Sequence, residues 1–162
     1  MPITPTGRLS IPLHAVRDAL IASPAWLAWC GAAPAAAADT YLVACPARVP
    51  RPHAIIDLDP SSFRRTRDGQ TTGPFVHRGG VMLYIAAPVT AGLSDLDATT
   101  DYGNHVDAVL LDLESAAGLG GYGTVLNGIS LMGGPSRIEA QLRDKHGDEI
   151  EAQFLLDVTV WP

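Results

Sequence analysis

Residues 150–161 alternate between apolar and mostly polar side chains without a break, and this pattern constrains the fold more than any other in the chain. The apolar members are Ile150, Ala152, Phe154, Leu156, Val158 and Val160. A period of two over this length is typical of a β-strand with one buried face. Such a strand needs partner strands and an apolar layer over it. We therefore expect a sheet covered by helices.

The N-terminal part predicts one amphipathic helix and one short helix. The apolar stripe of the first consists of Leu13, Val16, Leu20 and Ile21. Ser10 is its expected N-cap. Residues 25–30 are expected to form the second helix, because Ser and Pro precede them and Gly31 follows. Its Trp26 and Trp29 are expected in the core or in a contact between subunits.

The strand candidates before the last strand are short apolar or alternating runs. They are residues 40–44, 54–58, 62–67, 75–89, 124–132 and 138–142. Pro60 is expected to end one of them, and Gly133-Gly134-Pro135 another. Residues 62–67 and 75–89 are expected to form a hairpin with a long polar tip, and the second arm resembles a central strand.

A second main helix is expected after an acidic loop. Residues 93–104 form the predicted loop and contain Asp95, Asp97 and Asp101. These acids suit a helix entry, because anions favour the positive end of the helix dipole, and they lack the terminal Glu of a calcium-binding loop. The helix stripe that follows consists of Val106, Val109, Leu110 and Leu113. The glycine-rich residues 118–123 are expected to end the helix.

These elements predict an α+β domain over residues 1–162. Its single, mainly antiparallel sheet is expected to have about five strands, with two main helices on one face, in the order α-β-β-β-α-β-β. Residues 1–9 are expected to be a loose arm, and residues 32–39 an alanine-rich connector.

The charge balance bears on partners. The chain carries 17 acidic and 11 basic side chains, a net charge of −6, which disfavours tight binding of nucleic acid. Arg64, Arg65 and Arg67 form a local basic run, and such a run is more often a solvated strand face than a binding site for nucleic acid.

Cys30 and Cys45 are expected to be buried reduced thiols. With no apolar run long enough to span a bilayer and no signal peptide, the chain is expected to be intracellular at synthesis, without membrane contact.

The sequence carries no recognisable catalytic or metal-binding signature. The histidines lack metal-ligand spacing, and no serine lies in a Gly-x-Ser-x-Gly turn. We therefore expect no enzymatic activity, no catalytic or metal-binding residues and no cofactor.

Several short segments of the sequence, in their residue types and their order along the chain, resemble those of the tail terminator (tail completion) proteins of long-tailed bacteriophages and related prophages. The first is an N-terminal helix followed by the small and aromatic residues 21–31. The others are a proline leading into a core strand at residues 51–56, a glycine opening a central strand at residues 80–85, the second helix, residues 129–134, and a final strand at residues 154–161. The chain departs from the family pattern at residues 32–39 and 138–149.

The resemblance implies a virion structural protein that assembles in the host cytoplasm as a homo-oligomeric ring, commonly a hexamer. The ring would sit on the head-proximal end of the tail tube, end tube polymerisation and join the head-side connector. DNA would pass through its lumen without specific binding. Candidate interface residues are Arg67, Asp68, Gln70, Thr71, Phe75, Asp95, Asp97, Asp101, Trp26 and Trp29.

Other functions stay open from the sequence. One alternative is another class of neck or minor tail assembly protein, which would differ in copy number and partner. A small hydrolase or nucleotide-binding module, or a plain protein-interaction domain, is a further alternative.

Overall fold

The alternating C-terminal segment forms an inner strand of an antiparallel sheet in a computed structural model of the protein. The structure describes residues 4–31, 51–67, 75–115, 119, 122–139 and 147–161. Within these residues the elements are α1 (Ser10–Ala22), α2 (Pro24–Cys30), β1 (His53–Arg67), β2 (Phe75–Pro88), α3 (Asp95–Ser115), β3 (Thr124–Ile138) and β4 (Glu149–Val160). The predicted α+β class with one antiparallel sheet is confirmed. The candidate strand at residues 40–44 lies outside the described residues.

The four described strands are arranged in the order β1-β2-β4-β3. Every neighbouring pair is antiparallel, and β4 pairs with β2 on one side and with β3 on the other. Phe154 lies opposite Leu83 in β2 and opposite Leu131 in β3. Leu83 and Phe154 are buried, whereas Leu131 is 55% exposed, so at this row the buried face spans β2 and β4 and does not include the edge strand β3.

The three helices cover that face. Val16 and Leu20 of α1 are fully buried, and so is Val109 of α3. The hydroxyl of the buried Tyr102 in α3 donates a hydrogen bond to the backbone oxygen of Ile85 in β2, at 2.7 Å. Since burial of apolar area is the main stabilising contribution in a domain of this size, these contacts fix the helices on the sheet.

The helix ends agree with the sequence at α2 and differ at α1. The Ser23 side chain accepts a hydrogen bond from the backbone N–H of Trp26, and Gly31 ends α2 in the left-handed conformation, with φ of 65°. At α1 the predicted N-cap is wrong by one residue, because the helix begins at Ser10 and Leu9 precedes it. The Ser10 hydroxyl instead donates to the backbone oxygen of Gly7.

The prediction that Pro60 ends a strand is wrong. Residues 54–58 and 62–67 belong to the single strand β1, which continues through a bulge at Pro60. Asp59 pairs with Gly80 and Arg64 pairs with Arg78, so β1 has three more residues than β2 between these pairs. A proline is tolerated here because bulge residues need not donate to the ladder.

The predicted break at Gly133-Gly134-Pro135 is also wrong. β3 continues to Ile138 through register shifts, with a cis peptide bond between Gly134 and Pro135. Gly134 has φ of 81°, and a Cβ there would lie 2.5 Å from the backbone oxygen of Glu151. Only glycine fits this close approach. Ile138 is the last residue of β3. The sequence predicts a separate strand at residues 138–142, and residues 140–142 lie outside the described residues.

The predicted acidic loop at residues 93–104 is mostly helix. α3 begins at Asp95, so Asp95, Asp97 and Asp101 all lie on its first two turns. The Ser94 side chain accepts from the backbone N–H of Asp97 at 3.2 Å and donates to its carboxylate at 2.7 Å. This cap starts the helix earlier than the apolar stripe alone indicates, and the acids lie at the helix entry as expected.

Candidate functional site

Basic side chains are concentrated where the ends of β1 and β2 pair beyond the bulge. We call residues 64–67 and 75–78 the basic arm. Arg64 pairs with Arg78 and Arg65 with His77, and Arg67 is the last residue of β1. Arg8 lies beside the arm, where its guanidinium donates to the backbone oxygen of Trp161 at 2.8 Å. Five of the 11 lysine and arginine side chains of this acidic chain are thus gathered in one place.

The bulge that leads into the basic arm is held by a small hydrogen-bond network. The Ser62 hydroxyl accepts from the backbone N–H of Gly80 at 2.8 Å and donates to the backbone oxygen of Asp59 at 3.1 Å. The Asp59 carboxylate accepts from the hydroxyl and the N–H of Ser61. Hydrogen bonds to Asp59 hold the pKa of its carboxyl below its usual range, and the bond from the Ser61 hydroxyl has the largest effect.

A close backbone contact also fixes the direction of the arm. A Cβ at Gly79 would lie 2.4 Å from the ring of Phe63 and 2.9 Å from its Cα. The Phe63 ring also approaches the His77 ring, with centroids 5.9 Å apart. The bulged strand therefore lies directly against β2, and Gly79 makes that approach possible.

The electrostatic environment of the arm is positive at His77. Partial burial, together with the charges of Arg65 and Arg8, lowers the pKa of His77 below its ordinary value of 6.5. Within the described residues no carboxylate contacts Arg64 or Arg78. Like charges directly opposite on neighbouring strands are destabilising, so the Arg64–Arg78 pair has no stabilising role in the isolated chain.

A groove of about 340 Å³ adjoins the basic arm, and we call it the arm groove. It is lined by Arg78, Val125, Asn127, Asp157, Thr159 and Trp161. The Asn127 amide donates to the Thr159 hydroxyl at 2.8 Å and fixes the floor of the groove. Val158 and Val160 are buried beneath the helices, so their alternate neighbours in β4 lie on the opposite face of the sheet. The arm groove is therefore on the face away from α3.

The three predicted acidic residues lie at the far end of the sheet. Asp95 contacts Arg137 of β3, which also pairs with Asp148. Asp101 lies 3.8 Å from the His105 ring. Because Arg137 pairs with Ile150 and Arg78 with Thr159, the two ends are nine residues apart along β4. That is about 30 Å at the usual rise of a strand.

α3 exposes an acidic and apolar face. The helix contains no lysine or arginine, and Leu96 and Leu111 on its outer side are 76% and 59% exposed. Asp107 and Glu114, also exposed, follow the same helical stripe. We call these four residues the α3 outer face.

The two predicted tryptophans do not join the arm. Trp26 is fully buried in the core. Trp29 is half-buried and stacks on the His105 ring, with centroids 5.0 Å apart. The Asp112 carboxylate accepts from the Ser23 hydroxyl at 2.6 Å and from the backbone N–H of Ala25 at 3.0 Å, which joins this corner to α3.

The structure locates only part of the predicted interface set. Arg67 is exposed at the end of β1, and Phe75 is the first residue of β2. Asp68, Gln70 and Thr71 lie outside the described residues. Arg78 is absent from the predicted set, although the hairpin offers a signal for it, because residues 64 and 78 are equidistant from the centre of the hairpin tip.

Potential metal ligands are dispersed among the described residues. Among them, no three His, Cys, Asp or Glu side chains come together as metal ligands. Cys30 is a buried free thiol, and burial raises its pKa to about 12. Cys45 lies outside the described residues.

None of the described helices combines the length and apolarity required to cross a bilayer. No protein-family model matches the chain, and no curated protein matches it at a significant level.

Proposed function

We propose that this chain is a structural protein of a bacteriophage virion. In this role it forms a ring, expected to be a hexamer, on the head-proximal end of the tail tube. The ring ends tube polymerisation and offers the surface that the head-side connector binds. The order of elements that resembles tail terminator proteins supports the specific role, and assembly takes place in the host cytoplasm before the protein enters the virion.

The observation that carries the assembly part of the proposal is the separation of charge. The basic arm and the acidic start of α3 lie about 30 Å apart at opposite ends of one sheet. A molecule with a basic arm and an acidic helix α3 favours contacts that repeat from copy to copy in one direction. Repeated head-to-tail contacts produce a ring when the rotation between copies closes.

The acidic balance supports passage of DNA through such a ring. With a net charge of −6, the chain has a surplus of carboxylates, and like charge prevents the phosphate contacts that hold DNA. We propose that acidic side chains line the lumen. Reversal of the lumen-facing acids to lysine is expected to slow DNA ejection from assembled particles, and unchanged ejection would contradict this part of the proposal.

The ring is tested by imaging. The full chain is purified by size exclusion and examined in negative stain. The proposal predicts closed rings with a central hole. A stable monomer with a polar cleft that binds a small molecule would instead support an enzyme.

The terminator role is tested by tube length. Purified tail-tube protein of the same virus is allowed to polymerise with increasing amounts of this chain. Tubes are expected to become shorter as the ratio rises, with density for a ring at one end only. Tube lengths that do not depend on the ratio would favour another neck or minor tail protein.

A further inference from the structure

We propose that the basic arm and the arm groove of one copy bind the α3 outer face of a second copy. This inference rests on the proposed function and names the surfaces that join the subunits. The contact is heterologous, because the two surfaces are different and lie on opposite faces of the sheet. Each copy therefore receives one neighbour through its arm and offers its helix to the next.

Charge is the first argument for this occupant. Arg64 and Arg78 lie opposite each other with no carboxylate contacting either among the described residues. An acidic partner between them relieves this repulsion, since opposite charges across an interface are complementary. The chain itself supplies such a partner, because α3 carries acidic side chains and no lysine or arginine.

Apolar surface is the second argument. The arm groove contains Trp161 and Val125, which are 41% and 42% exposed. The α3 outer face contains Leu96 and Leu111, which are even more exposed. Each surface thus combines apolar and charged side chains. The arm contributes arginines, with Asp157 beside Arg78 in the groove, and the α3 outer face contributes acids. Interfaces commonly bury apolar and aromatic anchors within a polar rim.

A second copy fits this surface better than nucleic acid does. The net charge of −6 disfavours nucleic acid, because tight binding of nucleic acid depends on a surplus of basic side chains. Val125 and Trp161 in the lining of the groove are exposed apolar side chains, which suit a protein helix better than a phosphate backbone. Binding of DNA to the arm is therefore the competing outcome of the test.

The test uses two charge-reversed variants of the full chain. The arm variant carries R64E and R78E, and the helix variant carries D107R and E114R; all four side chains are exposed. Each variant alone is expected to need about tenfold more protein for half-assembly in light scattering, because its two surfaces now carry the same sign of charge. Far-UV circular dichroism checks that each variant is folded.

Two combinations serve as matched controls. The chain with all four substitutions has the net charge of the wild type and is expected to assemble again. A 1:1 mixture of the two double variants is expected to form rings in which they alternate, since each arm then meets a helix of opposite charge.

The outcomes separate the inference from the proposed function. If the wild type forms rings and the double variants assemble equally well, the interface between subunits lies elsewhere. The inference is then wrong, but the proposed ring is still supported. The inference is also wrong if the arm variant loses binding to a 30-nucleotide DNA probe but assembles normally. If the wild type forms no ring at all, the result contradicts the proposed function itself, and with it the inference that rests on it.

Discussion

Arg64 of β1 lies directly opposite Arg78 of β2 in the basic arm. Side chains in such a pair have Cβ atoms about 5 Å apart, and like charges at this distance repel. Arg64→Thr removes one charge and introduces a better strand former, so it is expected to raise the free energy of unfolding by about 0.5 kcal/mol. Urea unfolding of the dilute, unassembled chain measures this.

Arg137→Thr is the matched control for that substitution. Arg137 is also an exposed strand arginine, but it contacts Asp95 and Asp148. Its replacement is therefore expected to lower stability. A loss of stability in both variants would contradict the idea that the arm carries unfavourable charge.

The pKa of His77 reports the positive field of the arm. Burial, Arg65 and Arg8 lower it below 6.5, in that order of effect. Arg65→Gln is expected to raise this pKa, and Arg8→Gln to raise it by less, in an NMR titration. Arg137→Gln, at the far end of the sheet, is expected to leave it unchanged.

The lowered pKa of His77 also gives a pH dependence of stability. The unfolded chain takes up the proton at about pH 6.5, whereas the folded chain takes it up only at lower pH. Stability is therefore expected to fall as the pH drops from 6.5 through the pKa of the folded state. In His77→Gln this component is absent, and urea unfolding across that pH range compares the two chains. Equal slopes would contradict the assignment.

Gly79 is expected to be essential for the contact between the bulge of β1 and strand β2. An added Cβ would lie 2.9 Å from the backbone of Phe63, so Gly79→Ala forces the strands apart. We expect a loss of about 1–3 kcal/mol in urea unfolding. Gly128→Ala is the control, because the space around that Cβ position in β3 is open. If both variants are equally stable, the close approach is not needed.

Asp112 connects α3 to the corner between α1 and α2. Its carboxylate accepts hydrogen bonds from Ser23 and from the first turn of α2. Asp112→Ala leaves those donors without their partner, and we expect it to cost about 2 kcal/mol of unfolding free energy. Asp107→Ala, an exposed change on the same helix, is expected to have a much smaller effect. Comparable losses in thermal or urea unfolding would show that the contact contributes little.

The sequence pattern predicts the elements whose period is set by burial. β4 lies inside the sheet and is recognisable because its alternating residues face the core. The start of α3 is not predicted correctly, although Ala98 and Tyr102 are buried and extend its stripe backwards. Asp95, Asp97 and Asp101 suggest a loop, whereas the Ser94 cap and the helix dipole favour acidic residues at the start of a helix.

The candidate site is only partly predictable. The arginines of β1 and the hairpin tip are visible in the sequence, and the hairpin register leads to Arg78. The arm groove is not visible there, because it depends on the pairing of β3 with β4 that brings Asn127 to Thr159. Such pairing is decided by tertiary packing and has no local signature.

Native mass spectrometry of the full chain in about 0.1 M and about 1 M volatile salt tests the central claim most directly, because salt screens the contact between arm and helix. We predict one discrete species at low salt whose mass is a fixed multiple of 17.0 kDa, the mass of one chain, and a shift towards single chains at high salt. A single-chain mass at every protein concentration and at both salt concentrations would contradict the account.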